Sequence, residues 1–221
     1  MFPLRDQKTL PGRAIVTYLI IAANVYVFFL ELTALDLAKL INTFALVPAE
    51  FSLSSPATWL TLVSSQFLHG GWFHLITNVW FLAVFGPNIE RAWGPAKFLW
   101  FYIAAGIAAA LIQLIFTAES GLAILGASGA IAGVLGAYFV YFAHHRITTL
   151  VPLGFIPLFI GIPAGLILLY WFGLQLLGGF YVQTSNLGGI AFFAHIGGFL
   201  AGVILAVLTP LNERHRLGLN K

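Results

Sequence analysis

Long apolar runs separated by short polar stretches dominate this chain. Six of the runs are close to the roughly 20 residues that a helix needs to cross about 30 Å of hydrocarbon. The pattern therefore predicts an all-α membrane protein, a single bundle of six transmembrane helices with a long outer loop between the first two. The predicted spans cover about residues 14–32, 72–88, 95–117, 127–143, 157–177 and 190–209.

The composition agrees with a protein of the lipid bilayer. Of 221 residues, 60% are hydrophobic and 8% are charged, whereas about a quarter of a soluble domain is charged. The chain has no cysteine, which excludes disulfides, thiolate metal sites and cysteine nucleophiles. Its formal net charge of +3 does not indicate a nucleic-acid partner, because the few basic residues sit at the ends of predicted spans.

The basic residues also predict an orientation. With six spans both termini lie on one face, and by the positive-inside rule the face rich in Lys and Arg is cytoplasmic. Residues 1–13 and 210–221 are thus predicted as cytoplasmic segments around a membrane domain of residues 14–209, in a cytoplasmic (inner) membrane. Only Lys39 falls on the outer face, in segment 33–71, part of which we expect at the membrane interface. The basic residues of the inner face are Arg5, Lys8, Arg13, Arg91, Lys97, Arg146, Arg214, Arg216 and Lys221.

Few polar side chains fall inside the predicted spans, and such residues are functional candidates because an unpaired polar group is costly in hydrocarbon. His74 and Asn78 lie near the outer end of the second span, Ser128 opens the fourth, and His195 lies in the sixth. Alternating the spans places all four in the outer half of the membrane. The fourth span is short, about 17 residues or about 26 Å, so Ser128 is expected below the outer surface.

These residue types suit acyl transfer. The hydroxyl of Ser128 needs a base to become a nucleophile, and the imidazole of His195 can accept its proton near neutral pH. No Asp or Glu lies within a predicted span near His195. We therefore predict a Ser–His dyad in which packing, and not an aspartate, orients the imidazole. His74 and Asn78 share one helix face and both can donate hydrogen bonds.

Small residues recur at four-residue spacing on the fourth and sixth spans. Such spacing lets two helix backbones approach closely in a membrane. The pattern predicts that these two helices pack tightly enough for a Ser–His contact. The residues concerned are Gly129 with Gly133, Ala132 with Gly136, and Ala194 with Gly198 and Gly202.

Three local motifs resemble those of the rhomboid family of intramembrane proteases. They are Gly-Ala-Ser-Gly at 126–129, Ala-His-Ile-Gly-Gly at 194–198 followed by Gly202, and His-Gly-Gly at 69–71 followed by His74 and Asn78. The residues at 90–94 are similar to the turn after the family's second span. The likeness extends over about residues 59–209, and the motifs occur in the family's order.

The resemblance implies Ser128 as nucleophile, His195 as base, and an oxyanion hole formed by His74, Asn78 and the backbone N–H of Ser128. It further implies transmembrane protein substrates, a substrate cavity that could include His69 and Gly126, and no cofactor or metal. One departure concerns Ala132. Some members carry an aromatic residue at that position, which stacks on the catalytic histidine, so the support of the His195 ring is left unassigned.

Other classes of function fit the residues less well. A rhomboid-like binder of transmembrane helices without activity is an alternative, although both Ser128 and His195 are present. A metal-binding protein would use His69, His74 and His195, but no H-E-x-x-H pair or carboxylate within a span completes a site. A transporter would show two related halves, and no such symmetry is visible.

Overall fold

The structure, a computed structural model, describes residues 1–185 and 191–211, with side chains described through residue 181 in the first range. The predicted segment 210–221 therefore lies outside the described residues beyond Leu211. The helices are α1 Ile15–Thr33, α2 Leu37–Phe44, α3 Pro56–Ser64, α4 Trp72–Trp93, α5 Pro95–Thr117, α6 Ser128–Phe142, α7 Ala164–Ser185 and α8 Phe192–Leu208. The strands are β1 Phe2–Asp6, β2 Arg146–Leu153 and β3 Ile156–Pro163.

Each predicted span overlaps a helix, namely α1, α4, α5, α6, α7 and α8. Within the described residues, three helical stretches are long and apolar enough to cross a membrane: Ile15–Thr33, Pro95–Thr117 and Ala164–Tyr181. Helices α6 and α8 are apolar but shorter. The fold is thus mostly helical, and the count of six crossings stays a prediction. Segment 33–71 contains α2 and α3, and their location at the interface also stays a prediction.

The prediction of an all-α fold is wrong between α6 and α7. Strands β2 and β3 form an antiparallel hairpin, and β1 adds to β2 to give the order β1-β2-β3. The fifth predicted span, 157–177, therefore begins in a strand, and its helix starts at Ala164. Pro157 and Pro163 disfavour a helix because proline lacks the N–H and clashes with the preceding turn. Gly154, at φ 59°, allows the tight turn between the strands.

The N-terminal segment is fixed to the bundle. The carboxylate of Asp6 accepts hydrogen bonds from Asn88 at 2.5 Å and from the hydroxyl of Tyr138, and lies 3.0 Å from Nδ1 of His145. Burial acts to raise the pKa of Asp6, but these hydrogen bonds outweigh it and lower the pKa below its usual range. Since β1 pairs with β2 as well, the segment belongs to the folded domain.

Helices α6 and α8 approach each other through small residues, and the prediction of close packing between them is confirmed. A methyl carbon added at Gly198 would overlap the carbonyl oxygen of Gly129, and one added at Gly202 would overlap that of Gly133. On the other side of α6, Gly133 lies against Ala105 of α5. Helix α6 is accordingly the buried centre of the bundle.

We expect Gly202→Ala to lower the free energy of unfolding by about 1–3 kcal/mol, since the added methyl group overpacks a rigid backbone contact. Gly173→Ala on α7 is the matched control, because no atom lies within 4 Å of its added carbon. The control should be neutral or slightly stabilising. Thermal unfolding in detergent micelles, followed by circular dichroism, measures both. Equal midpoints for the two variants would contradict the tight α6–α8 contact.

Candidate active site

Ser128 is the first residue of α6 and follows a strained entry into the helix. Gly126 has a φ of 123°, which L side chains rarely adopt, and its N–H donates to the carbonyl of Ser65 at 2.9 Å. The N–H of Ser128 belongs to the first turn, whose N–H groups have no acceptor within the helix. The hydroxyl and a backbone donor of Ser128 therefore lie together at the N-terminus of α6.

His195 lies in the first turn of α8, and its Nε2 is 2.7 Å from Oγ of Ser128. This distance is typical of a hydrogen bond. It is possible because Gly198 has no side chain, which lets the backbone of α8 lie directly against the carbonyl oxygen of Gly129. The structure thus brings together the two residues that the sequence placed at similar depth.

A second contact of His195 comes from Gln175 of α7. Its Oε1 lies 2.7 Å from Nδ1 of His195, and its Nε2 donates to the carbonyl of Trp171 at 3.3 Å. The Trp171 ring also packs near the imidazole, with the centroids 5.9 Å apart. The expectation that packing alone orients the ring was therefore incomplete. The sequence signal for Gln175 is an amide in the middle of an apolar run, and a search for carboxylates passes over it.

The turn that carries His195 is held by Gln113 of α5. Its Oε1 accepts a hydrogen bond from the N–H of Ala194 at 2.8 Å, which satisfies one of the unpaired donors at the start of α8. Gln113 is buried and was also not singled out from the sequence. The position of His195 thus depends on α5 and α7 as well as on α8.

His74 and Asn78 lie on one face of α4, as their spacing predicted. The N–H of Gly70 donates to Nδ1 of His74 at 3.4 Å, so in the neutral ring the proton is on Nε2. Nδ2 of Asn78 is buried and has no hydrogen-bond partner among the described residues. A buried unpaired donor costs about 1–3 kcal/mol. It can recover this energy by donating to a ligand in the cavity.

These side chains line one cavity of about 730 Å³, within the usual range for ligand sites. Ser128, His195, His74 and Asn78 all contribute to its wall. Three of them lie in the first turns of α6, α8 and α4, where the helix dipoles place partial positive charge. The cavity therefore favours a negative charge. Its remaining wall residues with a polar group in the side chain are Thr77, Gln113, Thr117, Ser120 and Trp171.

His69 and Gly126 do not line this cavity, although both were candidates for it. Gly126 lies against the ring of His74, since a carbon added there would be 2.6 Å from Nε2 of that ring. His69 is buried, and its N–H donates to the carboxylate of Glu31 at 2.9 Å. Burial, with a smaller contribution from the charge of His74, lowers the pKa of His69 to about 4. Both residues lie next to His74, which lines the cavity.

Helices α1 and α4 each contain a buried carboxylate, but neither carboxylate contacts His195. Glu31 lies in the last turn of α1 beside His69. Glu90 is buried in α4 and accepts hydrogen bonds from the N–H groups of Val16 at 2.8 Å and Thr17 at 2.7 Å, which caps the start of α1. Within the ranges that the structure describes, the side-chain partners of His195 are Ser128 and Gln175. No three His, Asp or Glu side chains of those ranges group as a metal site would require.

A known protein family matches most of this chain. The model of the Rhomboid domain matches residues 56–211, which is more than half of the chain. The chain belongs to the rhomboid family. Together with its apolar helices, this membership shows that the protein is embedded in a membrane.

Curated rhomboid relatives resemble most of this chain. It is 30% identical over 207 residues to the rhomboid protease GluP of Bacillus subtilis (strain 168), which covers 94% of this chain and 37% of that protein. It is 28% identical over 162 residues to RHOMBOID-like protein 5 of Arabidopsis thaliana, covering 70% and 45%. It is 31% identical over 155 residues to the mitochondrial presenilin-associated rhomboid-like protein of Homo sapiens, covering 69% and 37%. The chain spans less than half the length of these relatives.

We expect His69 to make the rhomboid fold sensitive to acid. Between pH 6.5 and about 4 the unfolded chain protonates this imidazole while the folded chain keeps it neutral, so acid favours unfolding. The loss of unfolding free energy on going from pH 7 to pH 4 should reach roughly 3 kcal/mol. His69→Phe should flatten the pH dependence by that amount in SDS titrations of mixed micelles.

The matched control is His144→Gln, because His144 is exposed. Slight burial and the neighbouring His145 also lower the pKa of His144, so this variant should lose some pH dependence, but less than His69→Phe loses. A His69→Phe variant with the wild-type dependence would show that the buried imidazole does not titrate in this way.

Proposed function

We propose that this rhomboid is an intramembrane serine protease that hydrolyses peptide bonds in or near transmembrane segments of other proteins. The observation that carries the proposal is the 2.7 Å contact between Oγ of Ser128 and Nε2 of His195 in the wall of the cavity. A serine hydroxyl is activated by such a base. The name of the relative GluP, a rhomboid protease, supports the same chemistry.

In the first step, Oγ of Ser128 attacks the carbonyl carbon of the scissile bond while Nε2 of His195 takes the hydroxyl proton. The C–N bond of the tetrahedral intermediate then breaks, and the imidazolium gives that proton to the leaving amine. This leaves an acyl-serine. Water, deprotonated by the same imidazole, attacks the ester, and its proton returns to Oγ of Ser128 as the acid product leaves.

The negative charge of the intermediate needs donors placed in advance. We assign this role to the N–H of Ser128, Nδ2 of Asn78 and Nε2 of His74. The support is that Asn78 and His74 line the same cavity as Ser128, and that Nδ2 of Asn78 has no partner among the described residues. The first turns of α4, α6 and α8 add positive dipole ends.

The substrates are transmembrane proteins, since the cavity lies within a membrane-embedded domain and its wall is mostly apolar. We place the protein in a cytoplasmic membrane with both termini on the cytoplasmic side. Nine basic residues on the terminal face against Lys39 on the other support this orientation. The cavity then opens toward the outer side.

The proposal predicts covalent labelling of Ser128 by a fluorophosphonate probe and cleavage of a model transmembrane substrate in detergent or lipid. Ser128→Ala should abolish both, and His195→Ala should remove most of the labelling because the nucleophile loses its base. In-gel fluorescence and fragment mass spectrometry measure the two reactions.

The matched control is Ser120→Ala, since Ser120 is a second serine in the cavity wall. It should label and cleave as the wild type does. Cleavage that survives in Ser128→Ala would refute the proposal. A wild type that binds the substrate but neither labels nor cleaves would favour the alternative of a rhomboid-like binder without turnover.

Asn78→Ala should lower kcat by about 100- to 1,000-fold with little change in KM, because an oxyanion donor acts mainly in the transition state. Thr77→Val is the matched control from the same wall, since the Thr77 hydroxyl donates to the carbonyl of Phe73 at 2.8 Å. That variant should keep a kcat close to the wild-type value. An unchanged kcat in Asn78→Ala would remove Asn78 from the oxyanion hole.

A further inference from the structure

We propose that Gln175 is a positioning residue that fixes the tautomer and the ring plane of His195, in place of a carboxylate. The inference rests on the proposed function, because it assigns to Gln175 the orientation of the catalytic base. The carrying observation is the 2.7 Å contact between Oε1 of Gln175 and Nδ1 of His195.

The orientation of the Gln175 amide follows from its second contact. The carbonyl oxygen of Trp171, 3.3 Å away, can only accept a hydrogen bond, so the NH₂ group of Gln175 must face it. The amide oxygen then faces His195. An amide oxygen only accepts, so Nδ1 of the imidazole must carry the proton. Nε2 is left with a free lone pair, which the Ser128 hydroxyl needs in order to give up its proton.

Four groups therefore form a chain of three hydrogen bonds, in which each group donates to the next. The hydroxyl of Ser128 donates to Nε2 of His195, Nδ1–H of His195 donates to Gln175, and the amide of Gln175 donates to the carbonyl of Trp171. Rotating the Gln175 amide by half a turn would place its Oε1 against the carbonyl oxygen of Trp171, where neither oxygen can donate. The opposite tautomer of His195 would leave a lone pair facing the Gln175 oxygen. Both alternatives are penalised in a buried site.

Burial strengthens the preference for this amide orientation and this tautomer of His195. Gln175 is only 8% exposed, so its amide has little water to replace a lost partner. Ala132 is fully buried in α6 and carries no ring that could stack on the imidazole. The Trp171 ring lies one turn before Gln175 on α7, with its centroid 5.9 Å from that of His195. The support of the catalytic ring thus comes from α7, and the alignment of Ser128 with His195 depends on the position of that helix.

A neutral amide suits this location. A carboxylate in its place would stabilise the imidazolium more strongly, but the buried charge would be costly in an apolar bundle while the imidazole is neutral. Gln175 supplies the acceptor without that charge. The other titratable side chain of the cavity wall, within the described residues, is His74, so no carboxylate there competes for Nδ1.

The test compares kcat and KM of the protein, with residues 1–221 intact, on a model transmembrane substrate. Gln175→Leu keeps the size of the side chain and removes the acceptor, and it should lower kcat about 10- to 100-fold with KM near the wild-type value. Gln175→Glu restores an acceptor oxygen and should recover most of the lost activity. Tyr170→Phe is the matched control, since it removes a polar group from an exposed position of the same helix.

A second measurement reads the tautomer directly. In the Ser128→Ala background, ¹⁵N spectra of histidine-labelled protein should show the Nδ1–H tautomer of His195 when residue 175 is Gln or Glu. A mixture of both tautomers is expected with Leu. If the Leu variant does not fold by circular dichroism, Gln175→Asn replaces it, because its shorter side chain cannot reach Nδ1.

The failure of this inference is distinguishable from the failure of the proposed function. An active wild type together with a Gln175→Leu variant of equal kcat and unchanged tautomer would overturn the role of Gln175 alone. A Glu variant that is no more active than the Leu variant would also count against it. A wild type that neither cleaves nor labels would refute the protease, while the tautomer measurement would still test the contact with Gln175.

Discussion

Two helix backbones lie in direct contact where α6 and α8 cross, because glycine and alanine line both sides of the seam. A hydrogen bond between two side chains as short as serine and histidine requires this separation. A larger residue at Gly198 would overlap the carbonyl oxygen of Gly129 and move the helices apart, and the 2.7 Å contact between Ser128 and His195 would be lost. In a membrane, where apolar side chains gain little by leaving lipid, such close packing is also what holds helices together. Stability and chemistry therefore depend on the same small residues.

Some polar groups at the cavity have hydrogen-bond partners within the described part of the protein, and one buried donor does not. Each of His195, Gln175 and Gln113 has a partner from another helix or from its own backbone. Nδ2 of Asn78 has none among the described residues. In a low-dielectric interior, a paired group is rigid and an unpaired donor is costly. Under the proposed mechanism, the bundle holds the base firmly and leaves a donor free where negative charge would develop, which is the arrangement that transition-state stabilisation requires.

The opposite end of the bundle shows how a membrane domain can include a sheet. The apolar hairpin of β2 and β3 is extended by β1 from the start of the chain, so one edge of the hairpin has its backbone groups paired. Asp6 joins this strand to α4 and α6 through Asn88 and Tyr138. The N-terminal strand and the long helices are therefore parts of one folded unit.

The sequence alone determined the approximate positions of the main helices, the close packing of α6 with α8, and the common location of Ser128, His195, His74 and Asn78. These features follow from local patterns: apolar run length, four-residue spacing of small residues, and rare polar residues within spans. The tertiary structure decided which residues meet. Gln175 faces His195 because of the rotation of α7, and His69 lies beside Glu31. Residues 2–6 form a strand because their partner strand β2 comes more than 140 residues later in the chain. No local pattern encodes such contacts, since they depend on how distant segments pack against one another.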